Sequence, residues 1–386
     1  MSVWPFYNNH QINIVNRVIK SNKVNYWTGK ESRKFENEFS NKIKLKYGVS
    51  VANGTLALEI ALKALKLNLK DEVIVTPRSY IASAICVHNI GSRPVFADIN
   101  TNSQNITLDT IKEKVTKNTK AIICVHLAGF PCDMLEIVKF AKRHKIKIIE
   151  DCSQAHGSKI NNSYVGSFGD ISIWSFCNDK IISTLGEGGM ICTNNKIYWK
   201  KIWSLKDCGK NYDSVFNKKH PEGFRWIHDF SGTNARLTEV QSAVGRYQLK
   251  QLDKWSKKRF KYSQIIWNYL NEIKAVQIPQ IPKNYFHSSY RCNILLNPKF
   301  IKKNYNRDKI LKIFAENKIK CFVGSCPEIY NEKIFKKINH RPKKRLKNAK
   351  YVGENSLSFL VHPTLTENNI LKQAKKIKKI FIRISK

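Results

Sequence analysis

Two short runs of this chain carry side chains whose types and spacing suit one chemistry. Lys180 lies in Ser175-Phe176-Cys177-Asn178-Asp179-Lys180, which continues through Ile181-Ile182-Ser183-Thr184-Leu185 into Gly186-Glu187-Gly188-Gly189. Asp151 closes the apolar stretch Ile149-Glu150-Asp151 and is followed by Cys152-Ser153-Gln154-Ala155-His156-Gly157. A lysine amine can form a Schiff base with an aldehyde. A carboxylate beside a pyridine nitrogen keeps that nitrogen protonated, so that the ring can absorb the electrons of a carbanion. These are the requirements for holding pyridoxal phosphate. On that chemistry Lys180 is the candidate nucleophile and Asp151 the candidate ring partner. Gln154 stands where it could reach the phenolic oxygen, and Ser175 could donate to the phosphate. Each residue alone fits a plainer role, since a lysine in a Gly-rich loop is usually solvated and an aspartate after a strand usually caps a turn.

A second segment offers a phosphate site. Val51-Ala52-Asn53-Gly54-Thr55 runs into Leu56-Ala57-Leu58-Glu59-Ile60-Ala61-Leu62-Lys63-Ala64-Leu65, rich in strong helix formers and apolar around most of its circumference. Gly54 allows close backbone approach, and Thr55 stands at an N-cap or first-turn position. Free amides and the helix dipole favour a dianion there. The plainer reading is an ordinary start to a buried helix.

The elements that must position these residues read as α/β. Apolar strands at Val73–Val75, Pro94–Ala97, Ala121–His126 and Lys147–Glu150 alternate with helical patterns near Ile81–Asn89, Leu108–Val115 and Asp133–His144. Such alternation predicts a mainly parallel sheet with helices on both faces. Asp151 then falls just beyond a strand's carboxyl end, where sheets of this kind bind ligands. Two closer strands, Ile171–Phe176 and Met190–Thr193, flank the lysine loop. A long helical pattern follows Leu237 to about Ile273, and Gln277-Ile278-Pro279-Gln280-Ile281-Pro282 breaks the periodicity. The expected domains are 1–275, which includes the N-terminal segment, and a smaller one over 276–386.

Composition bounds the function class. With 386 residues, 42% of them hydrophobic, the chain can bury a substantial core. No apolar run approaches the ~18 residues of a membrane helix. Met1 to Phe6 lack a basic start before an apolar stretch, so export is not expected. Ten cysteines without a C-x-x-C pair read as buried free thiols of a reducing, cytoplasmic compartment, not as disulfides or metal ligands. The formal net charge of +39 opens a nucleic-acid-binding reading, because Lys and Arg neutralise phosphates. Yet the lysines are spread along the chain, and no recognition helix, zinc module or aromatic-basic RNA motif appears. A solvated basic surface is the expectation, with anionic substrates or lipid surfaces as a further use of the charge. The Lys- and Ile-rich stretch Lys372–Lys386 reads as an amphipathic final helix or strand.

Taken in order, the motifs resemble the nucleotide-sugar aminotransferases of the DegT/StrS type. The resemblance rests on Trp27-Thr28-Gly29-Lys30-Glu31, Ala52-Asn53-Gly54-Thr55, Asp71-Glu72-Val73-Ile74-Val75-Thr76-Pro77, Glu150-Asp151 with Gln154-Ala155-His156-Gly157, Gly166-Ser167-Phe168-Gly169-Asp170, Lys180 and Gly186-Glu187-Gly188-Gly189. It extends through Gly232-Thr233-Asn234-Ala235-Arg236-Leu237-Thr238 to His362-Pro363-Thr364-Leu365, nearly the whole chain. It implies the pyridoxal-phosphate-dependent transferase fold type I, aspartate aminotransferase-like, with a three-layer α/β/α large domain and a smaller C-terminal α+β domain.

By position the resemblance makes Lys180 the Schiff-base lysine, Asp151 the pyridine-nitrogen partner and Gln154 the phenolic-oxygen contact. Gly54, Thr55 and Ser175 become phosphate ligands, and Tyr80 falls where the family places an aromatic stacked on the ring. In a homodimer with shared sites, Asn234 or Arg236 would grip the phosphate from the neighbouring subunit; Ala235 departs from the aromatic common there. The implied reaction moves an amino group, most often from L-glutamate, to a keto group of a nucleotide-linked sugar, as in surface polysaccharide or lipopolysaccharide synthesis. Relatives that deoxygenate instead carry histidine in place of the lysine. A regulatory protein that keeps the cofactor without turnover is the alternative within the family. His156, Arg225, Trp226, His228, His287 and Tyr290 lie in segments that could face the sugar or diphosphate, or could simply pack.

Overall fold

The computed structural model describes residues 3–386. At its centre is a seven-stranded sheet in the order Tyr47–Val51, Gly189–Thr193, Ile171–Ser175, Lys147–Asp151, Thr119–Val125, Glu72–Val75, Arg93–Phe96. The last five of these pair in parallel. Gly189–Thr193 is antiparallel to both of its neighbours, so Tyr47–Val51 runs in the direction of the other five. Six carboxyl ends therefore meet along one edge. These strands are almost wholly buried, as Ile122, Ile123, Ile149, Ile171 and Ile173 illustrate, because helices cover both faces.

Several expected boundaries shift. Asp151 is the last residue of its strand, in register with Val125 and Ile173, and does not lie beyond it. The adjoining strand starts earlier, at Thr119, and stops at Val125. His126 is the first residue past it, and its amide bonds Asp151 O across the strand ends. The helix expected to reach Val115 ends at Lys112. Thr55 is not an N-cap: the helix Gly54–Ala64 is capped by Asn53, whose side chain accepts from the Leu56 amide at 2.9 Å. An Asx side chain satisfies a first-turn donor at less conformational cost than a threonine already inside the turn.

The long helix Glu239–Leu270 opens on a capping box made by Thr238 and Gln241. Leu249 and Leu252 pack under the lysine loop with Phe35, Phe39, Trp174, Phe176, Ile181 and Ile182. One end of the same helix enters a different cluster. Tyr262, Ile266, Trp267 and Leu270 pack with a four-stranded antiparallel sheet ordered Val276–Gln277, Cys292–Leu296, Ser356–Phe359, Cys321–Phe322. The final helix, Glu367–Ile384, closes that cluster with Ile370, Ala374, Ile377, Phe381 and Ile384, spaced four, three, four and three residues apart. Its lysines stay outside, so the Lys- and Ile-rich tail is an amphipathic helix. Six of the ten cysteines are buried and none is disulfide-bonded; Cys208 is exposed, against expectation.

Glu150 explains why a glutamate precedes Asp151. It is fully buried and accepts from the amides of Gly166, Phe168 and Gly169 at 2.7, 2.7 and 2.6 Å, and from His126 Nε2 at 3.1 Å. His126 Nδ1 accepts from the Cys132 amide, so Nε2 carries the proton. His126, Glu150 and Cys152 lie within 4.8 Å of one another, but the carboxylate is already filled by these donors. Glu150 thus pins the turn that leads into the strand Ile171–Ser175. Glu150→Ala would strand one buried and two part-buried amides together with the buried His126 Nε2–H, and we expect a loss of roughly 3 kcal/mol or more in unfolding free energy. Urea denaturation of the full chain checks this; a midpoint and slope equal to those of the wild type would refute it.

Candidate active site

At the carboxyl edge of the sheet a cavity of about 590 Å³ is lined by Asn53, Gly54, Thr55, Tyr80, Ser83, Asp151, Gln154, Ser175, Asp179 and Lys180, with Glu187 and Cys177 among the remaining residues. Segments far apart in sequence meet here because their strands end together. Gly54 is required by contact: a Cβ there would stand 2.6 Å from Ser175 Cβ. That approach brings the first turn of the helix Gly54–Ala64 against the end of Ile171–Ser175. The Asn53 side chain takes the Leu56 amide, and among the described residues the Gly54 and Thr55 amides have no protein acceptor. The Ser175 hydroxyl accepts from the Cys177 amide at 3.3 Å, which leaves its proton free.

Asp151 is 7% exposed. It accepts from the Ser153 amide at 3.1 Å and from the Ser83 hydroxyl at 3.4 Å, and it forms no ion pair among the described residues. Gln154 uses its side-chain oxygen to accept from the Ala128 amide at 2.9 Å, and its NH₂ donates one hydrogen to the Ser325 hydroxyl at 3.5 Å, which leaves the second to donate. Tyr80 lines the same cavity and is 69% exposed.

The lysine loop is tied down along its length. Phe176 N–H donates to Gly188 O, Thr184 N–H to Phe176 O, and Ser183 N–H to Gln248 Oε1. Trp4 Nε1–H donates to Lys180 O at 2.8 Å from the other end of the sequence. Gly186 sits at φ +108° with open space around it, so backbone conformation alone requires glycine. Lys180 Nζ lies 3.1 Å from Asp179 Oδ1 and 3.5 Å from the Tyr290 hydroxyl. Burial disfavours charge on this amine, but Tyr290, Asp179 and Cys177 together outweigh it and hold the ammonium above the ordinary lysine range.

A profile of the DegT/DnrJ/EryC1/StrS aminotransferase family matches residues 6–378. The chain belongs to that family. Over 275 residues it is 38% identical to GDP-perosamine synthase of Escherichia coli O157:H7, covering 71% of each protein. It is 32% identical over 352 residues to the UDP-N-acetyl-3-dehydro-alpha-D-glucosamine 3-aminotransferase of Acidithiobacillus ferrooxidans, covering 91% of this chain and 89% of that one. The X-ray structure of the aminotransferase from Psychrobacter cryohalolentis superposes with a TM-score of 0.97 at 44% identity, covering 99% of each chain. The fold is thus that of the pyridoxal-phosphate aminotransferases, as the motif order implied.

Two residues expected from the family pattern do not line the cavity within one chain. Asn234 is exposed on the segment paired with Asp207, and Arg236 Nη1 is bound to Asp207 Oδ1 at 2.7 Å. Asp207 is fully buried, so Arg236 is committed to neutralising it, with Lys210 as second partner.

Of the possible sugar-facing residues, only Tyr290 reaches Lys180. His156 is buried between Trp174 and Phe176, and burial, with Lys180 and Arg259 adding, pushes its pKa down to about 3. Burial likewise takes His287 down to about 3. Both are neutral packing residues, whereas Arg225, Trp226 and His228 are exposed. Sequence reasoning missed Asp179 and Arg291. The signal for Asp179 was its position beside the lysine; Arg291 had none, because only the packing of the strand Cys292–Leu296 brings it near.

Proposed function

We propose that this chain transfers an amino group, taken from L-glutamate, to the keto group of a nucleotide-linked sugar, with pyridoxal phosphate held by Lys180. The observation that carries the reading is the convergence of Lys180, Asp151, Gln154, Ser175, Gly54 and Thr55 on one cavity. The donor set fits the cofactor. Two unfilled helix amides and the Ser175 hydroxyl suit a phosphate dianion. A carboxylate without a cation suits a protonated ring nitrogen, and the second N–H of the Gln154 NH₂, the first going to Ser325, suits a phenolate oxygen. Tyr80, exposed at the mouth, would cover the ring face.

When bound, the cofactor supplies an electron sink for the carbanion of the substrate. Asp151 keeps a negative charge at the ring nitrogen. Lys180 would take the alpha proton of the donor on Nζ and return it to carbon, acting as base and then acid. The sheltered position of the amine in the cavity limits exchange of that proton with water. The sugar half of the reaction runs the same proton steps in reverse.

The relatives' names support a sugar carried on a nucleotide, and they differ in both base and sugar. Surface polysaccharide assembly, including lipopolysaccharide, in the cytoplasm is the setting this reading implies. Among the described residues no helix is long and apolar enough to cross a membrane. The reading also divides the chain into 1–275 and 276–386 and pairs two chains in a homodimer. With Arg236 committed to Asp207, the phosphate contact across that dimer goes to Asn234, whose amide has no partner among the described residues. Borohydride treatment of the yellow purified protein should fix the cofactor on Lys180, read by peptide mass. A label on Lys159 or Lys206 instead would sink the assignment.

A further inference from the structure

Cofactor chemistry asks for one carboxylate, at the ring nitrogen, and this cavity has a second beside the lysine itself. Asp179 Oδ1 is 3.1 Å from Lys180 Nζ. Its Oδ2 accepts from the Tyr290 hydroxyl and from Arg291 Nη2, the latter at 3.2 Å. Tyr290 is 6% exposed and completes a triangle, with its hydroxyl 3.5 Å and its ring centroid 5.1 Å from Nζ. The Arg291 guanidinium lies 4.9 Å from the centroid of the same ring. One carboxylate is therefore shared by a lysine, a phenol and an arginine drawn from two distant segments.

We propose that Asp179, clamped by Tyr290 and Arg291, is the counter-ion that receives Lys180 whenever the lysine is free of the cofactor, fixing the place and charge of its amine. Resting on the cofactor reading above, the inference gives Lys180 two stations: the cofactor aldehyde, and Asp179. In the second, the amine that has taken up a proton from carbon is held as an ammonium within reach of the cavity. Asp179 is a positioning residue here, because it acts through Lys180. Arg291 and the Tyr290 hydroxyl share the carboxylate, which limits its pull on the lysine and lets the proton return.

The other charged or titratable groups around this pair belong to several elements. Cys177 and Glu187 come from the lysine loop, Asp151 from the neighbouring strand end, His156 from the turn behind it and Arg259 from the long helix. His156 is neutral. Arg259 is fully buried, stacks on Trp4 and donates to Tyr290 O, and its field favours the phenolate and the carboxylate. Burial works against charge on Asp179, yet Lys180, Tyr290 and Arg291 bring its carboxyl below the usual range. Burial also holds Tyr290 above the usual phenol range, so its hydroxyl keeps the proton it donates.

The test uses the full chain loaded with pyridoxamine phosphate, which fills the cavity and cannot bond the lysine. Acetic anhydride labelling of Lys180 is followed by peptide mass across pH, with exposed Lys376 as internal reference. Wild-type Lys180 should become reactive at higher pH than Lys376 despite its burial. In Asp179→Asn the half-labelling pH of Lys180 should fall by about one unit or more, which raises its labelling rate near pH 8 about tenfold. Asp179→Glu, which restores the charge, should keep the wild-type profile.

A wild-type Lys180 that titrates below Lys376 overturns the inference without any variant. So does an Asp179→Asn profile equal to wild type, or an Asp179→Glu profile displaced as far as that of Asp179→Asn. Failure of the cofactor reading shows separately, as a borohydride label away from Lys180, and leaves this titration readable in the cofactor-free chain.

Discussion

Replacing Asp151 by Asn is expected to slow the half-reaction with L-glutamate by on the order of 10²–10³, about 3–4 kcal/mol of transition-state stabilisation. The substitution keeps shape, and its remaining oxygen can still accept from the Ser153 amide, while the NH₂ that replaces the other oxygen faces the Ser83 hydroxyl as a donor. It removes an unpaired carboxylate at the strand end, and with it the charge that would hold a proton on the ring nitrogen. Charge matched to a developing anion in a site that excludes water contributes more than the same charge in solvent. Stopped-flow absorbance of the loaded protein, mixed with glutamate alone, measures the step without knowledge of the sugar. The variant should bind the cofactor and melt close to the wild type. A half-reaction within a few-fold of wild type would mean that another acid serves the ring.

Equal amounts of Lys180→Ala and Asn234→Ala protein, each inactive alone, should regain roughly a quarter of wild-type activity after dissociation and reassembly. Random pairing makes half the dimers mixed. If Asn234 serves the neighbouring chain, each mixed dimer holds one doubly damaged site and one intact site. Asn234→Ala is preferred to any change at Arg236, because removing that guanidinium would leave Asp207 buried with a single cation. Exchange is followed independently by native mass spectrometry with one isotope-labelled parent. Mixed dimers that form and remain dead would place the phosphate grip on the same chain as Lys180.

The two carboxylates of the cavity, Asp151 and Asp179, divide by task. Asp151 lies at the end of a parallel strand, where backbone pairing to Val125 and Ile173 fixes it. Asp179 lies in a loop and depends on Tyr290 and Arg291 for its orientation. The first should therefore affect the electronic step and the second the proton affinity of the lysine. Labelling and half-reaction kinetics on the same two variants separate them.

By itself the sequence determined the cofactor chemistry, the order of the motifs and the α/β alternation. These are local: a lysine beside a Gly-rich turn, an aspartate closing an apolar strand and a glycine before a strong helix each carry their meaning within a few residues. It also determined the long helix after Leu237, because burial of one helical face leaves a 3.6-residue period that can be read directly, whereas for the Lys- and Ile-rich tail it left helix and strand open and the fold decided for a helix. Tertiary structure decided which residues surround the amine. Tyr290 and Arg291 reach Asp179 across more than a hundred residues, through the packing of the four-stranded sheet on the long helix, and no spacing rule encodes such a contact. It likewise decided that Asn53 caps the phosphate helix, that Glu150 is a buried anchor for the Gly166–Asp170 turn, and that His156 and His287 are neutral core residues. In each case the deciding quantity is desolvation or hydrogen-bond satisfaction in three dimensions. A sequence names the polar groups, but only the folded chain decides which of them lose water and which partners replace it.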